Sequence, residues 1–301
     1  MGLFLKKNFS TLNSTADNLY HLTENDVKVM HSILLSIYKD VLEVCERNNI
    51  RLAAAGGTAL GAVRHKGFIP WDDDMDLFLF REDFNHFIDV FEKELSDKYI
   101  LLAPGYKTGA NCFLPRIFKK DTTLLNMIDE IAPYPHGIYI DINLIEYAPN
   151  NPLVFSIKAF IANVLRFVSY SVYWHQYKSQ SLKEYMLNSS GKNYYRLRML
   201  IGRVFSFLSA EKWFKFFDDF VQFKKSRSIV IPSGKKKYAG EHLPYDSVIP
   251  LVKVPFEDTY IYVFNDYDGY LTNLYGEYMT IPAETEREYH LCLKFNIEKE
   301  I

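Results

Sequence analysis

One stretch restricts the fold more than any other: Ala55 to Leu79, reading AGGTALGAVRHKGFIPWDDDMDLFL. Within it a Gly-Gly-Thr turn, a short helix, the basic Arg64-His65-Lys66 and a carboxylate cluster follow one another in a single supersecondary unit. Side chains on a strand alternate between faces. An extended segment therefore puts Asp72, Asp74 and Asp76 on one face and Met75, Leu77 and Leu79 on the other. The apolar set gives such a strand a reason to be buried. The acidic set repels itself unless a cation holds it, and Mg²⁺, bound through one or two carboxylates plus substrate phosphates, is the natural one. Asp73 points the wrong way and reads as solvated or capping.

A second strand offers a third acid. Between His136 and Glu146, Ile138, Ile140, Ile142 and Leu144 share one face by period-two alternation, while Tyr139, Asp141 and Asn143 share the other. An acid such as Asp141 in a core strand is expensive unless it is paired or binds metal. Upstream, Arg51 to Ala55 reads as a short extended run, Gly56-Gly57 as a tight turn and Thr58 as the N-cap of a helix through Val63. Glycines at a helix N-terminus let phosphate oxygens approach backbone N–H groups at the positive end of the macrodipole. Gly56, Gly57 and Thr58 are therefore phosphate-binding candidates, with Arg64 and Lys66 as neighbouring cations. By itself such a triplet is usually only a turn; its place before an aspartate-rich strand gives it weight.

These residues resemble the signature of the LicD family. GIYIDINLIEYAP, from Gly137, is similar to that family's second acidic strand, and PFEDTYIYVFNDYDGYLTNLYGEYMTIP, from Pro255, to its C-terminal block. The likeness spans 24–147 and 235–290. It implies an α/β (α+β) fold: a nucleotidyltransferase-like core of the DNA polymerase β type, with a small mixed β-sheet flanked by helices, plus a mainly helical insertion. The expected division is a catalytic core over 1–148, an insertion over 149–234 facing acceptor or membrane, and a C-terminal part over 235–301 that completes the core. The resemblance also implies transfer of phosphocholine from CDP-choline to a cell-surface glycan such as teichoic acid, lipooligosaccharide or capsular polysaccharide. Asp74, Asp76 and Asp141 match the acidic motif as catalytic residues and ligands of Mg²⁺, with Mn²⁺ as a substitute. Asp141 is placed to act as base as well as ligand. Ala59 stands where a larger aliphatic residue is usual. Glycerol or ribitol phosphate from a CDP donor, or a CTP-dependent nucleotidyltransferase, would use the same site, and the residues do not decide among these.

The rest of the chain reads as support. Thr23 to Asn49 is the clearest helix, capped by Thr23 with Asp26 three residues on. Another helix begins at Arg81, burying Phe84, Phe87, Ile88 and Phe91. Cys112 to Thr123 supplies a strand carrying Arg116, Lys119 and Lys120. Arg116 and Lys119 are candidates to meet substrate phosphates, since phosphoryl transfer needs cations beyond its metal. Leu153 to Tyr177 and Leu197 to Phe223 are rich in Phe, Tyr and Leu, but Lys158, Arg166, Arg203 and Lys212 interrupt both. They read as buried amphipathic helices, or as an interfacial face resting on a membrane that carries a lipid-linked acceptor. Lys235 to Lys237 reads as a solvated run, and 267–279 as an aromatic helix.

Several classes fall away. A net charge of −2 gives no reason to expect a nucleic-acid partner. Three widely spaced cysteines, Cys45, Cys112 and Cys292, show no metal or redox spacing, so a reducing cytoplasm, at most the inner face of the plasma membrane, is the expected compartment. The N-terminal residues lack a continuous apolar segment of the signal-peptide kind, and Lys6 stands where myristoylation wants Ser or Thr. They read as a tail packing on the domain, and His290 as a surface residue. An EF-hand starting at Asp72 would need Gly and Glu where Leu77 and Asp83 stand. A scaffold with a dead site is disfavoured because every acid of the motif is present. With 22 Tyr and 23 Phe, core packing accounts for most aromatics, and an aromatic cage for choline has no assignable members.

Overall fold

The computed structural model describes residues 19–20, 22–107, 109–287 and 292–297. The N-terminal tail and His290 lie outside these. Helix α1 (Glu24–Arg47) has the expected capping box: Thr23 Oγ1 accepts the Asp26 N–H, and the Asp26 carboxylate accepts the Thr23 N–H at 2.9 Å. It buries Met30, Leu34, Ile37, Tyr38, Val41 and Cys45.

Strand β1 (Leu52–Ala54) feeds helix α2 (Gly56–His65), which starts earlier than expected. Ala55, not Thr58, is the N-cap residue, and both glycines lie in the first turn. Gly56 has φ +46°, which glycine adopts without the Cβ penalty and which swings the chain out of the strand. Thr58 Oγ1 is committed elsewhere, accepting the Asp76 N–H at 2.8 Å.

Strand β2 (Asp76–Phe80) is also shorter than the alternation predicts. Asp72, Asp73 and Asp74 belong to the preceding loop. The ladder simply runs out there: β1 pairs Leu52–Ala54 with Leu79–Leu77, Ala55 N–H reaches the Asp76 carbonyl, and Gly56 then turns away. The β1 ladder stops short of 72–74, so strand geometry does not extend to them. Both faces of β2 beyond Asp76 are buried.

Helix α3 (Arg81–Glu94) buries Phe84, Phe87, Val90 and Phe91, with Ile88 only partly covered. Strands β3 (Tyr99–Leu102), β4 (Arg116–Lys119), β5 (Thr122–Asn126) and β6 (Tyr139–Tyr147) follow. Four helices come next: α4 (Pro152–Gln176), α5 (Gln180–Leu187), α6 (Lys192–Val204) and α7 (Ala210–Val221). The chain returns through β7 (Ser228–Val230) and β8 (His242–Pro244), then the hairpin β9 (Val252–Phe256) and β10 (Thr259–Val263), helix α8 (Tyr267–Tyr275) and β11 (Cys292–Ile297).

The main sheet is mixed, in the order β1-β2-β6-β4-β3, with β7 and β8 extending from the far end of β6. Among the described strands β2 and β6 alone are parallel, in a register that places Asp76 beside Asp141. β6 is the hinge of the arrangement. Its first half pairs β2 and β4, and its last residues, Glu146 and Tyr147, pair β7. The helical segment thus leaves β6 and returns to it. Its attachment is polar as well as apolar: Arg81 on α3 donates to Glu146 on β6 and, through Nη2, to Asp218 on α7 at 2.7 Å. Two apolar clusters result, one of the sheet with α1, α3 and α8, the other largely of α4, α5 and α7.

Candidate functional site

The parallel pair β2–β6 opens, at its acidic end, onto a cleft of about 460 Å³. Its walls bring together Gly56, Gly57, Arg64, Trp71, Asp72, Asp74, Asp76, Asn143 and Lys235, together with Glu241, Tyr270, Tyr275, Tyr278 and Arg287. The carboxylates face the start of α2. A Cβ on Gly57 would lie 2.8 Å from Asp72 Oδ2, and one on Gly56 would lie 3.5 Å from Asp76 Oδ2. The glycines are what let a helix N-terminus and an acidic loop approach so closely.

Each acid is held by a neighbour. Asp76 Oδ1 accepts from Asn143 Nδ2 at 3.1 Å, and Asn143 Oδ1 accepts from Ser233 Oγ at 3.3 Å, tying the acid to the 231–241 loop. Asp141 Oδ1 accepts from Arg116 Nε at 2.9 Å, while Arg116 Nη1 donates to Asp129 Oδ2 at 3.1 Å. His31, on α1, bonds the Asp72 carbonyl at 2.7 Å and stacks on Phe68, which anchors the loop from behind; burial lowers its pKa.

Of the sequence-predicted residues, Gly56, Gly57, Arg64, Asp74 and Asp76 line the cleft. Asp141 sits beside Asp76 on β6. Thr58 is buried beneath, bonded to the β2 backbone. Lys66, Arg116 and Lys119 are not in the cleft wall. Lys66 ends α2 at φ 60° and its carbonyl accepts from Glu257 N–H. Arg116 is enclosed between two acids with its guanidinium 4.6 Å from the Tyr139 ring centre. Lys119 lies over the Tyr99 ring.

Other residues emerge only here. Lys235, expected as part of a solvated run, lies on the cleft rim with its ammonium 4.6 Å from the Tyr275 ring centre. Arg287 stacks its guanidinium 4.0 Å over Trp71, and its Nε is buried with no hydrogen-bond partner among the described residues. Arg64, already expected at the site, donates through Nη1 to the Tyr278 carbonyl at 2.7 Å and so fixes the loop after α8. Glu241 is almost wholly buried, accepts the Lys236 N–H at 2.7 Å, and has its carboxyl pushed up to about 7 by burial. Among the cleft residues not predicted for the site, Asn143 had a sequence signal, since it shares the face of Asp141.

The donor set suits a hard cation. Among the described residues no three His, Cys, Asp or Glu side chains form a group that could hold a metal ion by themselves. Mg²⁺ does not require such a group, since it takes one or two carboxylates and completes its octahedron with water and substrate phosphates. Asp74 and Asp76, oxygen donors opening on the cleft against the helix end, fit that requirement.

Residues 49–112 match the family model LicD/FKTN/FKRP, nucleotidyltransferase domain. The lipopolysaccharide cholinephosphotransferase LicD of Haemophilus influenzae is 27% identical over 262 residues, covering 86% of this chain and 93% of that protein. Both matches support the reading of the chain as a LicD-type protein. Uncharacterized proteins of Rickettsia typhi and Rickettsia prowazekii match over shorter stretches, at 37% and 47% identity, covering 26% and 18% of this chain and 24% and 20% of theirs.

Proposed function

We propose that the protein transfers phosphocholine from CDP-choline to a cell-surface glycan of the lipopolysaccharide type, on a nucleotidyltransferase-like core and with Mg²⁺ or Mn²⁺ at Asp74 and Asp76. The observation that carries the reading is the convergence of Asp72, Asp74 and Asp76 on the first turn of α2 inside one cleft. The cholinephosphotransferase of H. influenzae, similar along nearly its full length, supports the choice of transferred group.

The chain's own residues divide the work. Gly56 N–H is already taken by Tyr270 Oη at 3.1 Å, so the following N–H groups of the α2 first turn receive a donor phosphate. Arg64, Lys235 and Arg287 surround the space where a diphosphate's charge would lie, and the orphaned Arg287 Nε gives it a ready donor. A divalent cation bound at the carboxylates would neutralise charge on the diphosphate. Asp141, kept in place by Arg116 next to Asp76, is the acid positioned to take a proton from the attacking glycan hydroxyl. Trp71, Tyr275 and Tyr278 give the cleft aromatic surfaces suited to a quaternary ammonium group.

Phosphorus NMR of purified protein with Mg²⁺, a glycolipid extract and parallel CDP-choline, CDP-glycerol, CDP-ribitol and CTP tests this. CMP release with CDP-choline alone is expected. CMP from another CDP-alcohol would reassign the transferred group, and pyrophosphate from CTP would replace transferase chemistry with nucleotidyl transfer.

A further inference from the structure

We propose that the outer face of α4 and α6 is an interfacial docking surface that seats the protein on an anionic lipid bilayer. On α4, Leu153, Val154, Ile157, Phe160, Ile161 and Val164 are exposed at helical spacing, Leu153 at 69% and Phe160 at 70%. The same stripe continues along α4 through Phe167, Ser171 and His175, and there α6 covers it. Arg198 of α6 reaches the Phe167 carbonyl at 3.4 Å, and Gly202 packs against the Ser171 carbonyl. The first half of the stripe stays open. On α6, Leu197, Leu200 and Val204 lie on the side away from Arg198 and Gly202 and are also exposed, followed by Phe207 at 71%. The two uncovered stripes therefore face outward together. An apolar patch of that extent on a folded chain marks an interaction surface.

Charge selects the occupant. Residues 152–207 hold eight Lys and Arg against one acid, Glu184, in a chain whose net charge is −2. Lys192, Arg196 and Arg203 are exposed on α6 beside its apolar positions. Apolar side chains bordered by cations are the composition of helices that lie in the headgroup region of anionic membranes. A second copy of this chain would bring like charges together.

Helix α4 is long and apolar enough, by length and composition, to cross a membrane. Its other face forbids that. Ala159, Ala162, Leu165, Val168 and Val172 are packed in the second apolar cluster. Arg166 Nη1 donates to the carbonyls of Pro232 at 3.0 Å and Gly234 at 3.3 Å, and Lys158 binds the carbonyls of Phe220 and Gln222. The helix lies on the bilayer with its inner side still in the protein. Through Arg166 it also touches the loop that forms one wall of the cleft. The inference rests on this surface alone and not on the transfer reaction.

Vesicle flotation tests it with binding as the readout. The full chain is expected to float with vesicles of phosphatidylglycerol and phosphatidylcholine, and to be released by salt. Arg196→Glu with Arg203→Glu should weaken partitioning by roughly fivefold or more per residue. Phe160→Ser with Leu200→Ser should cut it about tenfold or more, with an unchanged circular-dichroism spectrum and melting temperature. Four results would overturn the proposal: no flotation with the anionic vesicles, equal flotation of wild type and Phe160→Ser/Leu200→Ser, a sedimenting dimer that this double variant dissolves, or membrane association that survives alkaline carbonate.

Discussion

In the cleft, charge is concentrated and half-buried: Asp76 and Asp141 stand side by side on parallel strands, and each is gripped by a neutral or cationic partner. On the helical layer charge is spread and solvated, with basic residues bordering apolar side chains that stay exposed among the described residues. Both regions place unfavourable groups where folding alone gives no reward, like charges together in one and bare hydrocarbon in the other. The difference lies in what each costs the fold. Buried charges must be paired at once, so the cleft is built into the sheet. Exposed apolar groups can wait for a partner, so the helical face is almost independent of stability.

The sharpest break in this contrast is at Asp76. Asp76→Asn should leave the melting temperature nearly unchanged but lower CMP release by about 10³-fold, since several kcal/mol of charge stabilisation go with the carboxylate. More than a few per cent of residual activity would remove Asp76 from the chemistry.

Arg116 should behave in the opposite way. Arg116→Ala leaves Asp129 and Asp141 without their shared cation in a largely buried setting, at an expected cost of about 3–5 kcal/mol in denaturant unfolding. A loss under 1 kcal/mol (about the value of a surface pair) would mean that water already reaches the pair.

Glu241 sharpens the comparison through pH. Its folded pKa, pushed up to about 7, stands above the ordinary 4.5. Between those values the native state keeps a proton that the unfolded chain has lost, so this group's contribution to stability falls as pH rises through that window. Glu241→Gln should remove a decline on the order of 3 kcal/mol from the wild-type profile. Parallel unfolding curves for the two proteins across the window would show that Glu241 is not the titrating group.

Arg287→Ala tests a single donor. It should raise KM for the CDP donor by about tenfold, a charge-assisted hydrogen bond's worth, with kcat changed much less. The smallest effect belongs to the outer face. Phe160→Ser should shift the unfolding free energy by less than about 0.5 kcal/mol, and a larger shift would show that the side chain is part of the core.

Much of the cleft was legible in the residues. The alternation Ile138, Ile140, Ile142 against Tyr139, Asp141 and Asn143 survives intact in β6, because a strand flanked on both sides has its faces dictated by burial. The Thr23–Asp26 capping box is local and forms as read. Alternation failed for Asp72 and Asp74, because the β1 ladder ends at Ala54 and does not reach them to keep the chain extended. Lys235 and Arg287 were out of reach for another reason. Their sequence neighbours are polar, and only the return of the chain through β7 and past α8 carries them to the rim of a cleft founded some 160–230 residues earlier.

By itself, then, the order of residues determined the elements whose causes are local or periodic: the capped α1, the glycine entry to α2, the acid-bearing face of β6 and the family likeness these motifs carry. The tertiary structure decided which carboxylates share a space, which arginine holds an acid in place and which meets solvent in the cleft, and which half of α4 stays bare. Those outcomes depend on the register between β2 and β6 and on where α6 crosses α4. Such contacts are settled by packing between distant segments, and no window of sequence contains both partners.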